Sequence, residues 1–389
     1  MPGVLEVLAL ALRALQVLCF FMDIRDLVPE HILQITPYQP GKPVEELQRE
    51  LGITDCVKLA SNENPLGPSP KALEAMHKAV ENANVYPDGG SYYLKEALAK
   101  KFDILPSQVF TGSGSDEVIE LMMRTLLTPD DSVVLSQYSF IVYFLSAMGI
   151  GCTIHSVPRQ PDYTHDLDAM ADAITENTKM IFIDNPTNPL GTMVNQSALD
   201  AFMKKVPERV LVVSDEAYDE YVDADDFPNT LQYVKNGRRM LILKTFSKIY
   251  GLAGLRVGYG MGPVEIIDAA NRIRPPFNVN AIAQAGALAA LDDLEHVERS
   301  RQVNSAGKIY LYKELESMGL SYIPSYGNFV TVDFEQEAAP INDNLLHQGI
   351  IVRPIKGYGL PNHLRISIGT QNQNERLIQA LKKALAETT

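Results

Sequence analysis

Residues 108 to 260 alternate short apolar runs with helical patterns, and this alternation restricts the chain to a small group of folds. The runs are rich in Val and Ile, and several are apolar at every position, as in strands buried on both faces of a parallel sheet. We therefore predict an α/β architecture with a mostly parallel, seven-stranded sheet flanked by helices. The predicted strands cover residues 108–111, 132–135, 153–157, 180–184, 210–214, 240–245 and 257–260.

The pattern changes after about residue 285, where we predict a smaller α+β domain. A helical stretch at 287–318 leads to three short strands near 329–333, 350–353 and 364–368, and a closing helix covers 374–385. The predicted division is a large domain at residues 61–285 and a small C-terminal domain at residues 286–389. Residues 22–60 are too few to fold alone, so we expect an N-terminal arm that joins the small domain or contacts a partner subunit.

Residues 1–21 form an atypical apolar extension. Residues 4–21 are apolar except for Glu6, Arg13 and Gln16. This stretch is short for a transmembrane helix and lacks the basic start and small-residue cleavage site of a signal peptide. Met22 opens a segment that reads like an ordinary enzyme N terminus. This favours an extension from an upstream start over the alternative, a native amphipathic helix that packs on the body, on a partner or on a membrane surface.

Charge and cysteine content restrict the partners and the compartment. The chain of 389 residues has a formal net charge of -14. Nucleic-acid binding depends on clustered Lys and Arg, so we predict no nucleic-acid partner, and we expect no membrane partner either. The cysteines Cys19, Cys56 and Cys152 show neither paired nor metal-ligand spacing. We therefore predict a reduced, cytoplasmic protein without a bound metal.

Polar residues that could hold a cofactor follow the predicted strands in order. Ligands of open α/β sheets bind beyond the carboxyl ends of the strands, where this chain places Asn188, then Asp215 with Tyr218, then Ser247 with Lys248. Together they offer an amine for a Schiff base, an acid for a pyridinium nitrogen and donors for a phenolate oxygen, the contacts of pyridoxal phosphate (PLP). Taken alone, Asp215 reads as a helix cap or salt-bridge acid, and Tyr218 as a partly buried tyrosine.

Lys248 lies between an apolar strand and Gly-rich sequence, whereas most lysines are solvated. Partial burial near cations would lower its pKa and favour the nucleophilic amine. Ser247 and Arg256 could hold a phosphate. The Gly-rich turn at residues 111–117 joins a strand to a helix, so Ser115 and Asp116 either line an anion site or simply cap that helix.

Several aromatic and cationic residues stay ambiguous when the residues are considered alone. Phe140 follows the strand at 132–135 and could stack on a planar ring or pack in the core. Arg365 lies in an alternating strand and is either a surface residue or a fork for a carboxylate, and Arg353 raises the same choice. Tyr38 and Tyr86 have no distinguishing context.

An ordered set of short motifs spans nearly the whole chain. The motifs are LASNENPLGP at 59–68, YPD at 86–88, TGSGSDE at 111–117, NPTNPLGT at 185–192, DEAY at 215–218, SK at 247–248, LAGLRVGY at 252–259, VRP at 352–354 and LRISIGT at 364–370. From about residue 22 to residue 389, the chain resembles the fold-type I PLP aminotransferases, and within them the histidinol-phosphate aminotransferases. Residues 1–21 have no counterpart in this pattern.

The resemblance implies a cofactor role for each residue that matches a motif. It implies that Lys248 binds PLP covalently and moves the substrate proton, and that Asp215 pairs with the pyridine nitrogen. Asn188 and Tyr218 would hold the ring oxygen, which makes Lys248, Asp215 and Tyr218 the catalytic set. The full cofactor-binding set is Lys248, Asp215, Tyr218, Asn188, Ser115, Asp116, Phe140, Ser247, Arg256 and Tyr86 of the partner subunit.

The resemblance also implies a substrate-binding set. Arg365 would receive the α-carboxylate of glutamate or 2-oxoglutarate. Tyr38 and Arg353, with Tyr86 of the partner subunit, would surround the distal anion, which is the substrate phosphate or the side-chain carboxylate of glutamate. Asn64 and Asn188 complete this set.

The implied activity is a transamination carried out by a homodimer. L-histidinol phosphate and 2-oxoglutarate would give imidazole acetol phosphate and glutamate, in histidine biosynthesis, through two ping-pong half-reactions. An aromatic amino acid aminotransferase and a PLP decarboxylase of phosphothreonine type remain open alternatives, and the decarboxylase would consume no oxo acid. A non-catalytic binding protein with the same fold is a third class, which a missing Schiff-base absorbance would favour.

Overall fold

The computed structural model describes residues 24–388. The described chain divides into two compact units, one that ends at Tyr38 and one that begins at Gln39, and each is described by itself. In the first unit a 3₁₀ turn covers Ile24–Leu27 and a short helix covers Glu30–Leu33. The prediction for residues 1–21 falls outside the described residues. Between residues 24 and 388, no helix combines the length and the apolar character that crossing a membrane requires.

The second unit is built around a seven-stranded sheet that confirms the predicted architecture. The strands, numbered along the chain, are β1 Val57–Lys58, β2 Val109–Gly112, β3 Ser132–Ser136, β4 Thr153–Val157, β5 Thr178–Asp184, β6 Leu211–Asp215, β7 Met240–Thr245, β8 Gly258–Met261, β9 Ser321–Ile323, β10 Phe329–Asp333, β11 Ile350–Ile351, β12 Arg353–Pro354 and β13 His363–Ser367. The large sheet has the order β2-β8-β7-β6-β5-β3-β4. Strand β8 runs antiparallel to both of its neighbours, and the remaining pairs are parallel.

Both faces of the large sheet are buried, which explains why its strands are apolar at successive positions. Along β5, Ile181 and Ile183 pack into one hydrophobic cluster, whereas Met180 and Phe182 pack into a second cluster. Side chains alternate between the two faces of a strand, so each cluster lies on one side of the sheet. A strand covered on both sides needs apolar residues at odd and even positions alike, as the sequence shows.

Helices cover the large sheet and complete the C-terminal region. In chain order after residue 39 they are Val44–Leu51, Pro70–Val80, Tyr92–Phe102, Ser115–Leu126, Ile141–Ile150, Leu167–Asp172, Gln196–Lys205, Leu231–Lys235, Val264–Asn271, Ala281–Leu291, Leu294–Ser317, Ala339–His347 and Gln371–Thr388. Side chains cap several of them: Ser69 accepts the N–H of Ala72 at 3.1 Å, and Asn195 accepts the N–H of Ala198 at 2.9 Å.

The C-terminal region forms a smaller sheet, as predicted. Its four antiparallel strands have the order β12-β13-β10-β9, and they pack with the helices Leu294–Ser317 and Gln371–Thr388. Strand β1 pairs in parallel with β11, so the chain just before residue 59 is bonded to the C-terminal region. The domain limits at residues 60 and 285 stay predictions.

Candidate active site

Three neighbouring parallel strands end at one edge of the large sheet and bring the predicted residues together. Asp184 at the end of β5 pairs in register with Asp215 at the end of β6, and Asp215 pairs with Leu243 in β7. The segments that leave these strands carry Asn188, Tyr218 and Lys248. The sequence placed these residues up to about sixty positions apart, and the parallel register makes them neighbours.

Lys248 is partly buried beneath the start of the motif at residues 59–68. Its Nζ donates to the carbonyl oxygen of Ser61 at 3.2 Å and lies 5.6 Å from the centre of the Tyr218 ring. Burial, reinforced by the positive charge of Arg365, lowers the pKa of Lys248 to about 8. A considerable fraction of this amine is therefore uncharged and nucleophilic near neutral pH.

Asp215 is buried and held by two donors. Tyr143 Oη donates to Asp215 Oδ2 at 2.6 Å, and the backbone N–H of Ala217 donates to Oδ1 at 3.1 Å. Burial raises the pKa of Asp215 to about 7, and the hydrogen bond from Tyr143 opposes that rise. The ionised form of a buried carboxyl group needs a cationic partner, and a protonated ring nitrogen would supply one. Sequence reasoning missed Tyr143, which lies on a highly apolar helix and looks like core.

Tyr218 is buried, and its hydroxyl points towards the segment that also covers Lys248. Asn62 Nδ2 donates to Tyr218 Oη at 2.9 Å, and Asn62 Oδ1 accepts from Ser367 Oγ at 2.9 Å. Burial raises the pKa of Tyr218 to about 12, so the phenol keeps its proton and can donate it in a hydrogen bond. Asn62 was not predicted as a site residue. Its position inside the motif at residues 59–68 was the available sequence signal, and the structure gives it a left-handed φ of 57°.

Arg365 on β13 reaches the same site from the small sheet. Only 7% of its surface is exposed. Its Nη1 donates to Asn188 Oδ1 at 2.5 Å, its Nη2 donates to the carbonyl oxygen of Ala60 at 2.7 Å, and its guanidinium lies 5.4 Å from the Phe329 ring. A buried guanidinium held by neutral acceptors is a suitable fork for a carboxylate.

The Gly-rich turn and Arg256 form a tight cradle. Arg256 Nη2 lies 3.3 Å from Asp116 Oδ2, and Nη1 lies 3.4 Å from Ser247 Oγ. The helix Ser115–Leu126 begins at this point, and its first N–H groups have no acceptors within the helix. A Cβ on Gly258 would lie 2.5 Å from the backbone nitrogen of Ser115. The cradle therefore has a helix N terminus, a hydroxyl and a guanidinium, which suit a phosphate.

The other predicted residues have more varied positions. Phe140 is half-buried and meets the Tyr143 ring edge-on at 5.6 Å. The amide nitrogen Nδ2 of Asn64 donates to the carbonyl oxygen of Ile249 at 2.7 Å and to Ser300 Oγ at 2.8 Å. These bonds hold the chain next to Lys248 in place.

Two further predicted residues, Arg353 and Tyr86, contact other parts of the chain. Arg353 Nη2 donates to the carbonyl oxygen of Gln39 at 2.8 Å. Tyr86 is 79% exposed and stacks on Phe277 with 4.7 Å between the ring centres. Tyr38 is the last residue of the first unit and is about half exposed.

The donor set fits PLP in type and order along the sheet edge. A phosphate suits the cradle at Ser115 and Arg256, and a pyridinium nitrogen suits buried Asp215. A ring oxygen suits the hydrogen-bonding groups of Asn188 and Tyr218, and an aldehyde carbon suits the low-pKa amine of Lys248. The left-handed glycine at 114 leaves room for this set, because a Cβ there would come within 2.3 Å of Arg256 Nη2.

Comparison with known proteins gives concordant results. The profile of the family "Aminotransferase class I and II" matches residues 54–381. A histidinol-phosphate aminotransferase of Moorella thermoacetica is 51% identical over 92% of this chain and 92% of its own length. One from Akkermansia muciniphila is 48% identical over 94% of this chain and 100% of its own length.

Solved structures show the same fold. The crystal structure of histidinol-phosphate aminotransferase from Sinorhizobium meliloti in complex with pyridoxal-5'-phosphate superposes with a TM-score of 0.85 at 28% identity. It covers 92% of this chain and 97% of its own. An aspartate aminotransferase from Thermus thermophilus with maleate, at 23% identity and a TM-score of 0.80, covers 93% and 99% of the two chains and shows a likeness of fold.

Proposed function

The chain belongs to the class I and II aminotransferase family, among the histidinol-phosphate aminotransferases, and from this premise we propose that it transaminates L-histidinol phosphate with 2-oxoglutarate. The products are imidazole acetol phosphate and glutamate, in a step of histidine biosynthesis. The proposed cofactor is PLP. One observation carries the proposal: a low-pKa amine, a buried acid and a buried guanidinium converge at one edge of the sheet.

We propose the following roles for the residues that hold the cofactor. Bound PLP supplies an electron sink that stabilises negative charge at the Cα of the amino donor. The carboxylate of Asp215 holds a proton on the ring nitrogen, because the two opposite charges stabilise each other in a buried site. Asn188 and Tyr218 would orient the ring through its oxygen. Phe140 would lie against the ring, and Ser115, Asp116, Ser247 and Arg256 would surround the phosphate.

Lys248 is proposed to move the substrate proton. The uncharged amine of Lys248, favoured by a pKa of about 8, removes the proton from the Cα of the amino donor. Its position over the Tyr218 ring and under the carbonyl of Ser61 restricts its motion. The same amine serves both half-reactions, because each requires one proton transfer at the substrate carbon.

One pocket must accept two different substrates. Arg365 is proposed to bind the α-carboxylate of glutamate or 2-oxoglutarate, with Asn188 next to it. Tyr38, Arg353 and Tyr86 of the partner subunit are proposed to surround the distal anion, a phosphate in one substrate and a carboxylate in the other. Asn64 supports this pocket through its bonds next to Lys248. The proposed assembly is a homodimer, and the proposed compartment is the cytoplasm.

A half-reaction tests the proposal. The PLP-loaded protein is mixed separately with L-histidinol phosphate, L-phenylalanine and L-tyrosine, and the loss of the cofactor's long-wavelength absorbance is followed. Fast conversion with L-histidinol phosphate alone supports the proposal. Faster conversion with the aromatic amino acids would instead make the protein an aromatic aminotransferase. Turnover without 2-oxoglutarate and with release of carbon dioxide would make it a decarboxylase.

A further inference from the structure

A buried ion pair lies next to the loop that carries Asn188. The carboxylate Oδ1 of Asp184 is 3.6 Å from Arg159 Nη2, and 4% and 2% of the two side chains are exposed. The desolvation of both charges offsets most of the attraction within such a pair. A gain in stability is therefore a weak reason for its presence, whereas the groups that it holds in place suggest a role.

The carboxylate of Asp184 is bonded to the Asn188 loop. Its Oδ2 accepts the backbone N–H of Asn188 at 3.0 Å, and its Oδ1 accepts from Ser139 Oγ at 2.9 Å. The side chain is thus fixed at both oxygens. A hydrogen bond from a backbone N–H to a buried carboxylate is stronger than one to a neutral acceptor, so the start of the loop has a defined position.

Arg159 reaches the same loop with its other nitrogens. Its Nη1 donates to Thr187 Oγ1 at 3.1 Å, its Nη2 donates to Ser139 Oγ at 3.0 Å, and its Nε donates to the carbonyl oxygen of Gln137 at 2.6 Å. The guanidinium therefore connects the segment after β3 with the loop after β5. Its planar geometry gives these bonds fixed directions.

His165 completes this cluster without adding a charge. Its Nε2 lies 3.0 Å from the carbonyl oxygen of Asp184 and 3.3 Å from Oδ1. Burial, together with the charge of Arg159, lowers the pKa of His165, so the ring is neutral and donates from Nε2. The cluster contains one cation and one anion, and it is bonded both to the Asn188 loop and to the segment after β3.

We propose that Asp184, supported by Arg159, is a positioning residue that fixes Asn188 for cofactor and substrate binding. Asn188 is held at its backbone by Asp184 and at its side-chain oxygen by Arg365. A displaced loop would move the amide away from the cofactor ring oxygen and would release the guanidinium that receives the substrate carboxylate. The inference rests on the proposed function, and it adds a residue pair outside the predicted site.

The substitution Asp184→Asn tests this role, because it keeps the shape and removes the charge. We expect apo-protein to bind PLP about tenfold more weakly, as for the loss of a charged hydrogen bond. In the glutamate half-reaction we expect the apparent KM to rise more than the maximal rate falls. The matched control is Asp223→Asn, whose carboxylate lies 3.6 Å from the buried Lys308 and not at the loop, and both quantities should stay unchanged.

A second background separates positioning from a general loss of structure. In protein that already carries Asn188→Ala, Asp184→Asn should weaken PLP binding no further, because the group that it positions is gone. Equal effects in both backgrounds, or wild-type PLP affinity in Asp184→Asn, would overturn the proposal. Asp184→Asn could fail to fold because Arg159 is left uncompensated. In that case the same PLP titration is done on the charge-balanced protein Asp184→Asn/Arg159→Gln. Weaker PLP binding than in wild type supports the proposal, and wild-type affinity overturns it. If the wild-type protein reacted with no amino donor, the proposed function would be wrong. The comparison of PLP affinity between wild-type and Asp184→Asn apo-protein would still test the positioning role.

Discussion

At the scale of single residues, the candidate site combines two groups whose pKa values are shifted in opposite directions. Burial lowers the pKa of Lys248 to about 8 and raises that of Asp215 to about 7. Both shifts have one physical cause, the cost of holding a charge away from water. The neighbours then adjust each group: Arg365 lowers the pKa of the amine further, and Tyr143 restrains the rise at the acid.

The charge of Arg365 should be measurable at Lys248. In Arg365→Met the pKa of Lys248 should rise, because a nearby cation no longer disfavours the ammonium form. At neutral pH the fraction of free amine then falls from roughly one tenth, the value for a pKa of about 8. The rate at which apo-protein captures PLP covalently should therefore reach its half-maximum at higher pH. The control Arg353→Met should leave the pH of that midpoint unchanged. An equal shift of the midpoint in both variants would contradict a specific effect of Arg365 on the pKa of Lys248.

The hydroxyl of Tyr143 should control the ionisation of Asp215. Tyr143→Phe removes one donor from the carboxylate, so the pKa of Asp215 should move above about 7. In the role proposed for Asp215, PLP binding to apo-protein requires the ionised acid, so the decline of PLP binding on the acid side should shift to higher pH, with kcat about tenfold lower. Titration of PLP affinity against pH measures the shift. Tyr259→Phe is the matched control, because that hydroxyl is buried without a hydrogen-bond partner in the described part of the chain.

At the scale of elements, the parallel strands set the order of the site. Strands β5, β6 and β7 end next to one another, and each contributes its polar residues to the same edge. The antiparallel β8 brings a glycine against the start of the helix Ser115–Leu126, which closes the cradle. The cradle therefore depends on a strand, a helix and the absence of a side chain between them.

The contact between β8 and that helix predicts the effect of one methyl group. In Gly258→Ala the Cβ would lie 2.5 Å from the backbone nitrogen of Ser115 and 2.8 Å from the backbone carbon of Gly114. Neither backbone atom can move without displacing the cradle, so we expect a loss of roughly 1–3 kcal/mol in the free energy of unfolding. PLP affinity should fall as well. Gly254→Ala meets nothing within 4 Å and should change neither chemical denaturation nor PLP affinity.

At the scale of the whole molecule, two sheets share one site. Arg365 and Ser367 come from the small sheet, whereas Asp215 ends strand β6 of the large sheet and Lys248 follows strand β7. The loop at Asn188 is bonded to both regions, since Thr331 Oγ1 donates to the carbonyl oxygen of Pro189. The site therefore requires that both regions fold and pack together.

The proposed homodimer predicts complementation between two defective proteins. Lys248→Ala removes the amine, and Tyr86→Ala removes the ring assigned to the partner's site. After the two variants are unfolded and refolded together, mixed dimers contain one site with both native residues. Activity should reach about a quarter of wild type, the random-mixing expectation for a twofold dimer. Activity equal to the average of the two separate variants would contradict a shared site, and sedimentation would check that dimers had formed.

The local pattern of the sequence predicted the sheet and the order of the main site residues. Strand periodicity is local, so an apolar run such as residues 240–245 indicates a buried strand without knowledge of its neighbours. The residues after those runs were identified because parallel strands present their carboxyl ends together. The roles of Lys248, Asp215 and Tyr218 came from the resemblance to a known family and stay predictions at the residue level.

The tertiary structure alone decided which distant side chains surround these groups. Tyr143 reaches Asp215 across 72 positions in the chain, and Arg365 reaches Asn188 across 177. In sequence Tyr143 resembles core, and Asp184 resembles the polar end of a strand. Their partners depend on the packing of separate elements, which no local pattern encodes. Short motifs therefore predicted which reactive groups the site contains. The pKa values of these groups and the bonds that position them arise from burial and from contacts that form only in the folded chain.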